Sequence, residues 1–427
     1  LEKSMDFQLD LLQKQAVEEA LTKGVVVVTG GPGTGKTTTI NLMIRCFEME
    51  KMDIVLAAPT GRAAKRMTEA TGYEAKTIHR LLEVSGGIED GDSSHFEKNE
   101  DNPIEADAVI LDEMSMVDIH LMYSLLKAIV PGTRLILVGD SNQLPSVGPG
   151  NVLKDIIDSK AFSVVRLSKI YRQAESSHIV LNAHKINAGE LITLDNKNKD
   201  FFFFEKKDVR SVMGALVYLV KTRLPEYIGA SPFEIQVLTP MRKGELGVEH
   251  LNEVLQYYLN PASESKKEKE GRTGVFREGD KVMQVKNNYK LEWKITNAKG
   301  FSIEEGLGVF NGDMGIIKQI NTYSERITVV FDENREAEYP FSSLDELELA
   351  YAITIHKSQG SEYPAVVLPL LSGPPILCNR NLLYTAITRA QKCVAIAGRQ
   401  SMVEQMIHNE TEQKRYSGLN DCLKEGL

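Results

Sequence analysis

Short runs of β-branched and aliphatic residues recur along the chain and predict buried strands. They lie at residues 25–28, 53–58, 108–111, 135–139, 164–167, 235–239, 365–368 and 393–397. A strand that is apolar at nearly every position is buried on both faces, as in a parallel sheet covered by helices. Segments with helical periodicity lie between the runs, such as residues 6–22, where Phe7, Leu11, Leu12, Val17 and Leu21 share one side. The pattern predicts an α/β protein.

Two segments depart from this pattern. Residues 277–340 alternate in polarity, with turn signals at Asn311-Gly312 and at residues 332–334, which predicts a small all-β insert, a five-stranded barrel. Tyr289, Trp293 and Phe301 lie in a stretch, residues 261–300, with ten Lys/Arg and six Asp/Glu. Each ring could stack on a base, but packing inside the barrel is the commoner role. Residues 85–103 are glycine-rich and acidic and indicate an exposed hairpin.

Composition bounds the class of protein. The 427 residues predict two to four domains, at roughly 150 residues each, and 42% hydrophobic with 26% charged residues is ordinary for a globular chain. No apolar run approaches the roughly 18 residues of a membrane span. A net charge of −9 argues against binding nucleic acid through bulk electrostatics, but it leaves room for a local basic groove.

The termini and cysteines indicate a cytoplasmic location. The first ten residues lack the apolar segment of a secretory signal, and position 1 is Leu, which suggests a fragment of a longer chain. Cys46, Cys378, Cys393 and Cys422 show no CxxC spacing, which fits a reducing compartment and gives no sign of a zinc or iron–sulfur site.

A glycine-rich segment with a lysine follows the first apolar run. Gly30, four residues (Gly31, Pro32, Gly33, Thr34) and then Gly35-Lys36-Thr37-Thr38 match the phosphate-binding P-loop, between a predicted strand and a predicted helix. Backbone N–H groups of such a loop surround a triphosphate, Lys36 would reach the β- and γ-phosphates, and Thr37 would bind Mg²⁺. A glycine-rich turn without a ligand is the alternative. The context favours binding of a nucleoside triphosphate.

Polar side chains follow two later apolar runs. Asp112 and Glu113 come directly after residues 108–111, and Gln143 lies just beyond residues 135–139. In a parallel sheet, Asp112 would help to hold Mg²⁺ and Glu113 would orient or deprotonate the attacking water. Gln143 would detect the γ-phosphate, although a structural turn residue is also possible there. Gln13, ahead of the P-loop, could pair with the adenine edge, but an exposed helix position is the commoner role of glutamine.

Hydroxyl and basic residues follow other strands. Pro59, Thr60, Gly61, Arg62, Lys65 and Arg66 lie at a predicted strand end and helix start, and Thr77 and His79 open another helix. Such groups could contact successive phosphates of a single strand, or they could form a solvated helix face.

Taken in order, these segments resemble the superfamily 1 helicases, in particular the RecD-like group that moves 5′ to 3′ on single-stranded DNA. The matching residues are Gln13 and the segments GGPGTGKTTT, APTGRAAKR, TIHRLL, LDEMSMVD, VGDSNQLPSVGPG, IYRQ, LTPMRKGELG, TIHKSQGSEYP and LLYTAITRA. They run from residue 13 to residue 390. Each is weak to moderate alone, and the whole series in order is specific.

The resemblance implies a fold. It implies two RecA-like P-loop NTPase domains with parallel sheets flanked by helices, an SH3-like β-barrel insert and a short hairpin insert called the pin. The implied boundaries are 1–170 for the first RecA-like domain, with the pin at 85–103, then 171–275 and 346–427 for the second, and 276–345 for the barrel. Relatives often carry a further N-terminal region, and the pin here is short and acidic.

The resemblance also implies residue roles. Lys36, Thr37, Asp112, Glu113 and Gln143 come from the first domain, and Arg172 and Arg389 match two arginine fingers from the second. Tyr171 matches an aromatic that stacks on adenine, and Gly360 and Glu362 match positions that face phosphates and ribose. The positions that match DNA-contacting segments are Pro59, Thr60, Gly61, Arg62, Thr77, His79, Arg242, Thr354, His356 and Lys357.

The implied function is an ATP- and Mg²⁺-dependent, monomeric motor acting on single-stranded DNA and its junctions with duplex, with nuclease-complex or repair partners. Three alternatives stay open at this point. They are an RNA-directed 5′ to 3′ helicase, a DNA-binding ATPase switch subunit of a nuclease complex, and a small-molecule kinase, which would leave the second half of the chain without a role.

Overall fold

A six-stranded parallel sheet is built from the first part of the chain. The computed structural model describes residues 9–83, 96–171, 176–272, 274–297, 301–411 and 415–426. The chain divides into two units, one formed by Leu1–Ala188 with Glu412–Leu427 and the other by Gly189–Thr411. In the first unit the strand order is β3-β2-β4-β5-β1-β6. The strands are β1 (Val25–Gly30), β2 (Ile54–Ala58), β3 (Ala75–Thr77), β4 (Ala108–Leu111), β5 (Arg134–Gly139) and β6 (Ser163–Leu167).

Both faces of this sheet are covered, which is why its strands are apolar at nearly every position. Val26, Val28 and Ile136 pack with helices on one face, and Val27 and Leu137 pack on the other. The helices are α1 (Leu11–Thr22), α2 (Lys36–Met49), α3 (Gly61–Thr71), α4 (Ile78–Leu81), α5 (Ile119–Lys127), α6 (Val152–Ser159) and α7 (His178–Asn187), with a 3₁₀ turn at Met114–Met116.

The second unit contains a five-stranded parallel sheet of order β18-β8-β19-β20-β7. Its strands are β7 (Phe201–Glu205), β8 (Ile235–Thr239), β18 (Ala352–Thr354), β19 (Tyr363–Leu370) and β20 (Ala390–Gly398). The accompanying helices are α8 (Val209–Tyr218), a π-helical turn (Leu219–Arg223), α9 (Leu224–Ile228), α10 (Val248–Leu259), α11 (Arg380–Ile387) and α12 (Gln400–His408), with 3₁₀ turns at Pro232–Glu234 and His356–Ser358.

An antiparallel region lies between β8 and β18 in the chain and belongs to the same unit. It has a hairpin of β9 (Glu268–Gly271) and β10 (Gly274–Arg277) and a seven-stranded sheet of order β13-β12-β16-β15-β14-β11-β17. Those strands are β11 (Lys281–Gln284), β12 (Asn288–Thr296), β13 (Ser302–Val309), β14 (Met314–Asn321), β15 (Arg326–Phe331), β16 (Arg335–Pro340) and β17 (Leu347–Leu349), with 3₁₀ turns at Asp332–Asn334 and Phe341–Glu346. This sheet and the parallel sheet share one hydrophobic core.

The insert therefore has more strands in its sheet than the five that the sequence predicts. The additional pairing comes from edge strands, where alternation in the sequence is weak: β17 has three residues, and much of β13 is exposed. The three aromatic residues also differ from one another. Trp293 packs against the core with Arg335 over its ring, Tyr289 packs edge-on against Phe310, and Phe301 is 68% exposed.

Residues 415–426 lie in the first unit, whereas the family resemblance implies that residues 412–427 belong to the second RecA-like domain. The Arg415 guanidinium donates to the carbonyl oxygen of Gly150 at 2.8 Å, and Leu419 and Leu423 pack against the core of the first sheet. Two leucines one helical turn apart on the helix Leu419–Glu425 are enough for this docking, but they do not indicate which domain they cover.

Of the predicted pin at residues 85–103, residues 85–95 lie outside the described residues. The part that follows is joined to the end of α4, because the N–H groups of Glu97 and Lys98 donate to the carbonyl oxygens of Glu83 and Leu82. In the described part of the chain, no helix combines the length and the apolar character that a membrane crossing requires.

Candidate nucleotide site and nucleic-acid interface

The P-loop joins β1 to α2, as the sequence predicts. Gly33 and Gly35 have φ angles of 73° and 81°, a left-handed conformation in which a side chain is strained. The Thr34 hydroxyl donates to the carbonyl oxygen of Gly31 at 2.8 Å and closes the turn. Lys36 is the first residue of α2, so the N–H groups of the first helical turn have no partner within the helix and can bind an anion.

Lys36 holds its ammonium group over this loop. Its Nζ donates to the carbonyl oxygens of Gly30 at 2.6 Å and Gly31 at 3.1 Å. Thr37, the next residue, is exposed, and Thr38 is half-buried. The cation and the hydroxyl that the motif requires thus both lie at the start of α2, where the dipole of the helix also favours negative charge.

Gln13 and Tyr171 both lie beside Gly35. A Cβ atom added at Gly35 would lie 2.8 Å from Nε2 of Gln13 and 3.0 Å from the ring of Tyr171. Gln13 is 2% exposed, so the alternative of a surface glutamine does not hold. The N–H of Tyr171 donates to the carbonyl oxygen of Gly33 at 3.3 Å. An amide that could pair with the adenine edge and the aromatic ring that the resemblance assigns to adenine therefore lie beside the P-loop.

The carboxylates of Asp112 and Glu113 follow β4. Burial, with the neighbouring Glu113 carboxylate, raises the pKa of Asp112 to about 6, while the nearby cations Lys36 and Arg66 act in the opposite direction. The carboxylate of Asp112 and the hydroxyl of Thr37 are oxygen donors of the kind that Mg²⁺ prefers, and a cation beside the half-buried carboxylate would relieve the cost of desolvating its charge. These residues fit a magnesium ion bound together with nucleotide phosphates.

Glu113 has an unusual backbone. Its φ is 54°, in the left-handed region that a glutamate rarely adopts, and its N–H donates to Oδ1 of Asp112 at 2.8 Å. Its carboxylate accepts a hydrogen bond from Arg66, with 3.0 Å between Nη2 and Oε1. From the sequence, Arg66 is only one of three cations that could contact a nucleic acid.

Gln143 lies in the loop after β5. Its side chain is 8% exposed, and within the described part of the chain its Oε1 has no hydrogen-bond partner. Buried amide oxygens are normally satisfied, so this atom fits a ligand or a water at the same sheet edge. Because β4, β5 and β1 are adjacent and parallel, their carboxyl ends bring Asp112, Gln143 and the P-loop to one edge, where α/β sheets bind ligands.

In the second unit, Arg389 is a poorly satisfied buried cation. It is 3% exposed, its Nη1 donates to the carbonyl oxygen of Ser361 at 3.3 Å, and its Nη2 lies 3.4 Å from the Thr388 hydroxyl. Its Nε lacks a partner among the residues that the structure describes. Gly360 has a φ of 72°, and Glu362 accepts from Gln391 at 3.2 Å. Arg172 lies outside the described residues.

Hydroxyl groups cap the helices that carry the candidate nucleic-acid contacts of the first unit. Thr60 accepts from the N–H of Ala63 at the start of α3, and Thr77 accepts from the N–H of Arg80 at the start of α4. Pro59, Gly61 and Arg62 flank Thr60 and are each partly buried. Burial lowers the pKa of His79, with the Asp118 carboxylate acting in the opposite direction, and this shift favours the neutral imidazole.

Two candidate contacts of the second unit meet on one carboxylate. Glu348, on β17, binds the guanidinium of Arg242 at 2.5 Å and the ammonium of Lys357 at 2.9 Å. Burial of the Glu348 carboxylate acts to raise its pKa, but the hydrogen bonds from Arg242 and Lys357 outweigh burial, and the pKa is lowered. The hydroxyl of Thr354 accepts from the N–H of Lys357, and His356 begins the 3₁₀ turn between them.

The structure therefore brings predicted residues together within each unit. In the first unit, the candidate nucleotide-binding residues meet at one edge of the sheet. In the second unit, Arg242 lies with Lys357, and Arg389 lies beside Ser361. Sequence reasoning missed the partners Arg66 and Glu348, and it missed His184, whose Nε2 lies 3.1 Å from the carbonyl oxygen of Pro32 in the P-loop. A lone arginine, glutamate or histidine has no local signal that would have identified it.

Comparison with known families matches three parts of the chain. Residues 13–149 match a model described as an AAA domain. Residues 251–331 match the SH3 domain of ATP-dependent RecD-like DNA helicases, and residues 349–397 match the C-terminal domain of UvrD-like helicases.

Curated relatives cover most of this chain. It is 36% identical to the ATP-dependent RecD2 DNA helicase of Deinococcus radiodurans, with 90% of this chain but only 48% of that protein covered. The chain thus spans about half the length of that relative. It is 31% identical to the RecBCD enzyme subunit RecD of Mycolicibacterium smegmatis, covering 96% of this chain and 74% of that one. It is 33% identical to the RecBCD enzyme subunit RecD of Mycobacterium tuberculosis, covering 92% of this chain and 70% of that one.

Solved structures agree on the fold. A Bacteroides Pif1 helicase, solved in complex with ADP-AlF3 and single-stranded DNA, superposes with a TM-score of 0.53 at 20% identity, covering 94% of each chain. At this identity the likeness concerns the arrangement of the chain alone.

Proposed function

The chain belongs to the RecD-like family of superfamily 1 DNA helicases, and we propose that it couples ATP hydrolysis to movement along single-stranded DNA and to unwinding of duplex. The observation that carries the proposal is the edge of the first sheet. There the P-loop lysine, the Asp112–Glu113 pair and the buried amide of Gln143 follow three adjacent parallel strands. This set of side chains is the one that phosphoryl transfer uses, and the fold itself does not require it.

Each residue of the site has a proposed role. Lys36 and the backbone N–H groups of Gly31 and residues 33–38 bind the phosphates, and Thr37 with Asp112 would hold Mg²⁺, which neutralises phosphate charge when bound. Glu113 orients the attacking water and accepts its proton, and Gln143 detects the γ-phosphate. Gln13 and Tyr171 contact adenine, and Gly360 and Glu362 contact phosphate and ribose. Arg172 and Arg389 take the arginine-finger roles that the resemblance assigns to them.

The proposed strand contacts come from both units. In the first unit they are Pro59, Thr60, Gly61, Arg62, Thr77 and His79, and in the second they are Arg242, Thr354, His356 and Lys357. Helix N-termini and hydroxyl groups bind phosphates without reading sequence, which suits a motor that must move over any sequence. ATP binding and hydrolysis would shift the population between two states of the protein that grip the strand differently.

The direction of movement is tested with duplexes that carry a single-stranded tail. We expect ATP-dependent strand displacement from a duplex with a 5′ tail and little from one with a 3′ tail. The opposite preference would reject the 5′ to 3′ direction. ATPase activity and binding without displacement from either substrate would favour the alternative of a switch subunit in a nuclease complex, a role suggested by the RecBCD name of the mycobacterial relatives.

Comparing DNA and RNA as activators of the ATPase tests which nucleic acid the chain acts on. We expect oligo-dT to stimulate ATP hydrolysis strongly and oligo-U weakly, because the family acts on DNA. Equal or greater stimulation by RNA would favour the RNA-directed alternative, since only contacts to the 2′-hydroxyl discriminate the two. Size-exclusion chromatography with light scattering tests the proposal that the chain is a monomer.

The carboxylate of Glu348 occupies two of the proposed phosphate contacts, which yields a prediction for binding. We expect Glu348→Gln to tighten binding of oligo-dT several-fold at low salt, because Lys357 would lose its carboxylate partner and Arg242 would keep only the longer pair with Glu249, at 3.6 Å. The slope of log affinity against log salt should steepen by about 0.7, the value for one added contact on a single strand.

Glu338→Gln is the matched control for this experiment. Glu338 also lies on the antiparallel sheet and pairs with an arginine, Arg326, at 3.2 Å, but that pair is exposed. We expect this variant to bind DNA like the parent, measured by fluorescence anisotropy. Weaker binding of Glu348→Gln would mean instead that the carboxylate orders the two cations for phosphate.

A further inference from the structure

Helix α3 joins a proposed strand contact to the catalytic carboxylate. Its first turn carries Thr60, Gly61 and Arg62, and Arg66 follows one turn later on the same helix. The guanidinium of Arg66 lies 3.0 Å from Oε1 of Glu113, and both side chains are partly buried. A displacement of α3 caused by a bound strand would therefore move the partner of Glu113.

The geometry at Glu113 makes this contact significant. The left-handed backbone of Glu113 restricts the directions in which its side chain can point. An oxygen that accepts a charge-assisted hydrogen bond from Arg66 is not available to orient a water molecule. The pair as observed thus keeps this oxygen from positioning the attacking water.

We propose that Arg66 is a positioning residue that restrains Glu113 in the absence of DNA, and that strand binding at the N-terminus of α3 releases the carboxylate for hydrolysis. This inference rests on the proposed helicase function and assigns the coupling between its two ligands to one ion pair. For the coupling to operate, DNA must bind more tightly to the released state than to the restrained one.

An exposed arginine on another helix of the same unit provides the control. Arg45 lies on α2, outside the P-loop and the candidate strand contacts, and its side chain is exposed. Arg45→Ala removes the same side chain and the same charge as Arg66→Ala, at a position with no role in the proposed sites. Any difference between variants at positions 45 and 66 then reports on the Glu113 contact.

The experiment compares steady-state ATPase rates of the parent, Arg66→Ala, Arg66→Lys and Arg45→Ala, without nucleic acid and with saturating oligo-dT. We expect Arg66→Ala to raise the DNA-free rate about tenfold, the lower end of what a hydrogen bond to a charged group is worth. The rate with DNA should stay within about twofold of the parent, so the stimulation ratio falls in proportion. Arg66→Lys should lie between the parent and Arg66→Ala, and Arg45→Ala should match the parent.

Other outcomes overturn the inference. An unchanged or lower DNA-free rate in Arg66→Ala, with the stimulation ratio of the parent, would show that the pair is only structural. If thermal unfolding shows that Arg66→Ala is not folded, the ratio of the ATPase rates with and without DNA is measured for Arg66→Lys and decides the question instead. The double variant Arg66→Ala/Glu113→Gln should lose the raised rate, and a retained rate would show that Glu113 is not the group released. A parent enzyme that no nucleic acid stimulates would instead reject the helicase function itself.

Discussion

Replacing Lys36 with alanine is expected to lower the rate of ATP hydrolysis by about 10²–10³-fold, the usual effect of removing one donor that stabilises transition-state charge. The ammonium of Lys36 already lies at the mouth of the P-loop, 2.6 Å from the carbonyl oxygen of Gly30. It needs only a rotation of its flexible side chain to reach a phosphate. Because the same cation also attracts the ground-state triphosphate, nucleotide affinity should fall as well.

The measurement is the ATPase rate with saturating oligo-dT, together with binding of a fluorescent ATP analogue. Lys23→Ala is the control, since Lys23 is an exposed lysine that follows α1 and precedes the same strand. A Lys36→Ala variant that retained more than a tenth of the parent rate would contradict the assignment of the P-loop as the catalytic site.

Arg389→Ala is expected to have a comparable or larger effect on turnover and a smaller one on binding. Arginine fingers contribute about 10³–10⁵ to kcat, because they act mainly on charge that develops during phosphoryl transfer. Arg389 is buried, with long hydrogen bonds to Ser361 and Thr388 and no partner at Nε among the described residues. A buried cation with so few hydrogen-bond partners destabilises the fold, unless an anionic ligand binds to it.

This reasoning predicts three results for Arg389→Ala: a fall in kcat of about 10³-fold, a loss of nucleotide affinity below about tenfold, and a melting temperature that is not lowered. Arg389→Lys should recover little, because lysine lacks the planar fork of donors. Lys392→Ala removes an exposed cation from β20, the same strand, and should behave like the parent. Equal losses in binding and turnover would contradict the finger role.

Local chemistry made much of the nucleotide site predictable from the sequence. A P-loop is contiguous, its strand and helix are encoded by the residues on either side, and Asp112-Glu113 directly follows a buried strand. Strands of one parallel sheet end at the same edge, so these distant segments had to meet once the fold class was right. The role of each residue, the domain boundaries and the direction of movement stay predictions.

Pairings between residues far apart in the chain were decided only by the tertiary structure. The contacts of Arg66 with Glu113 and of Glu348 with Arg242 and Lys357 are examples, as are the burial of Gln13 and the return of the C-terminal helix to the first unit. The physical reason is that the charge or hydrophobicity of a residue indicates whether it needs a partner or burial. It does not indicate which distant residue provides that partner or covers it. The backbone repeats that form strands, helices and phosphate loops are local, and the sequence by itself determined those.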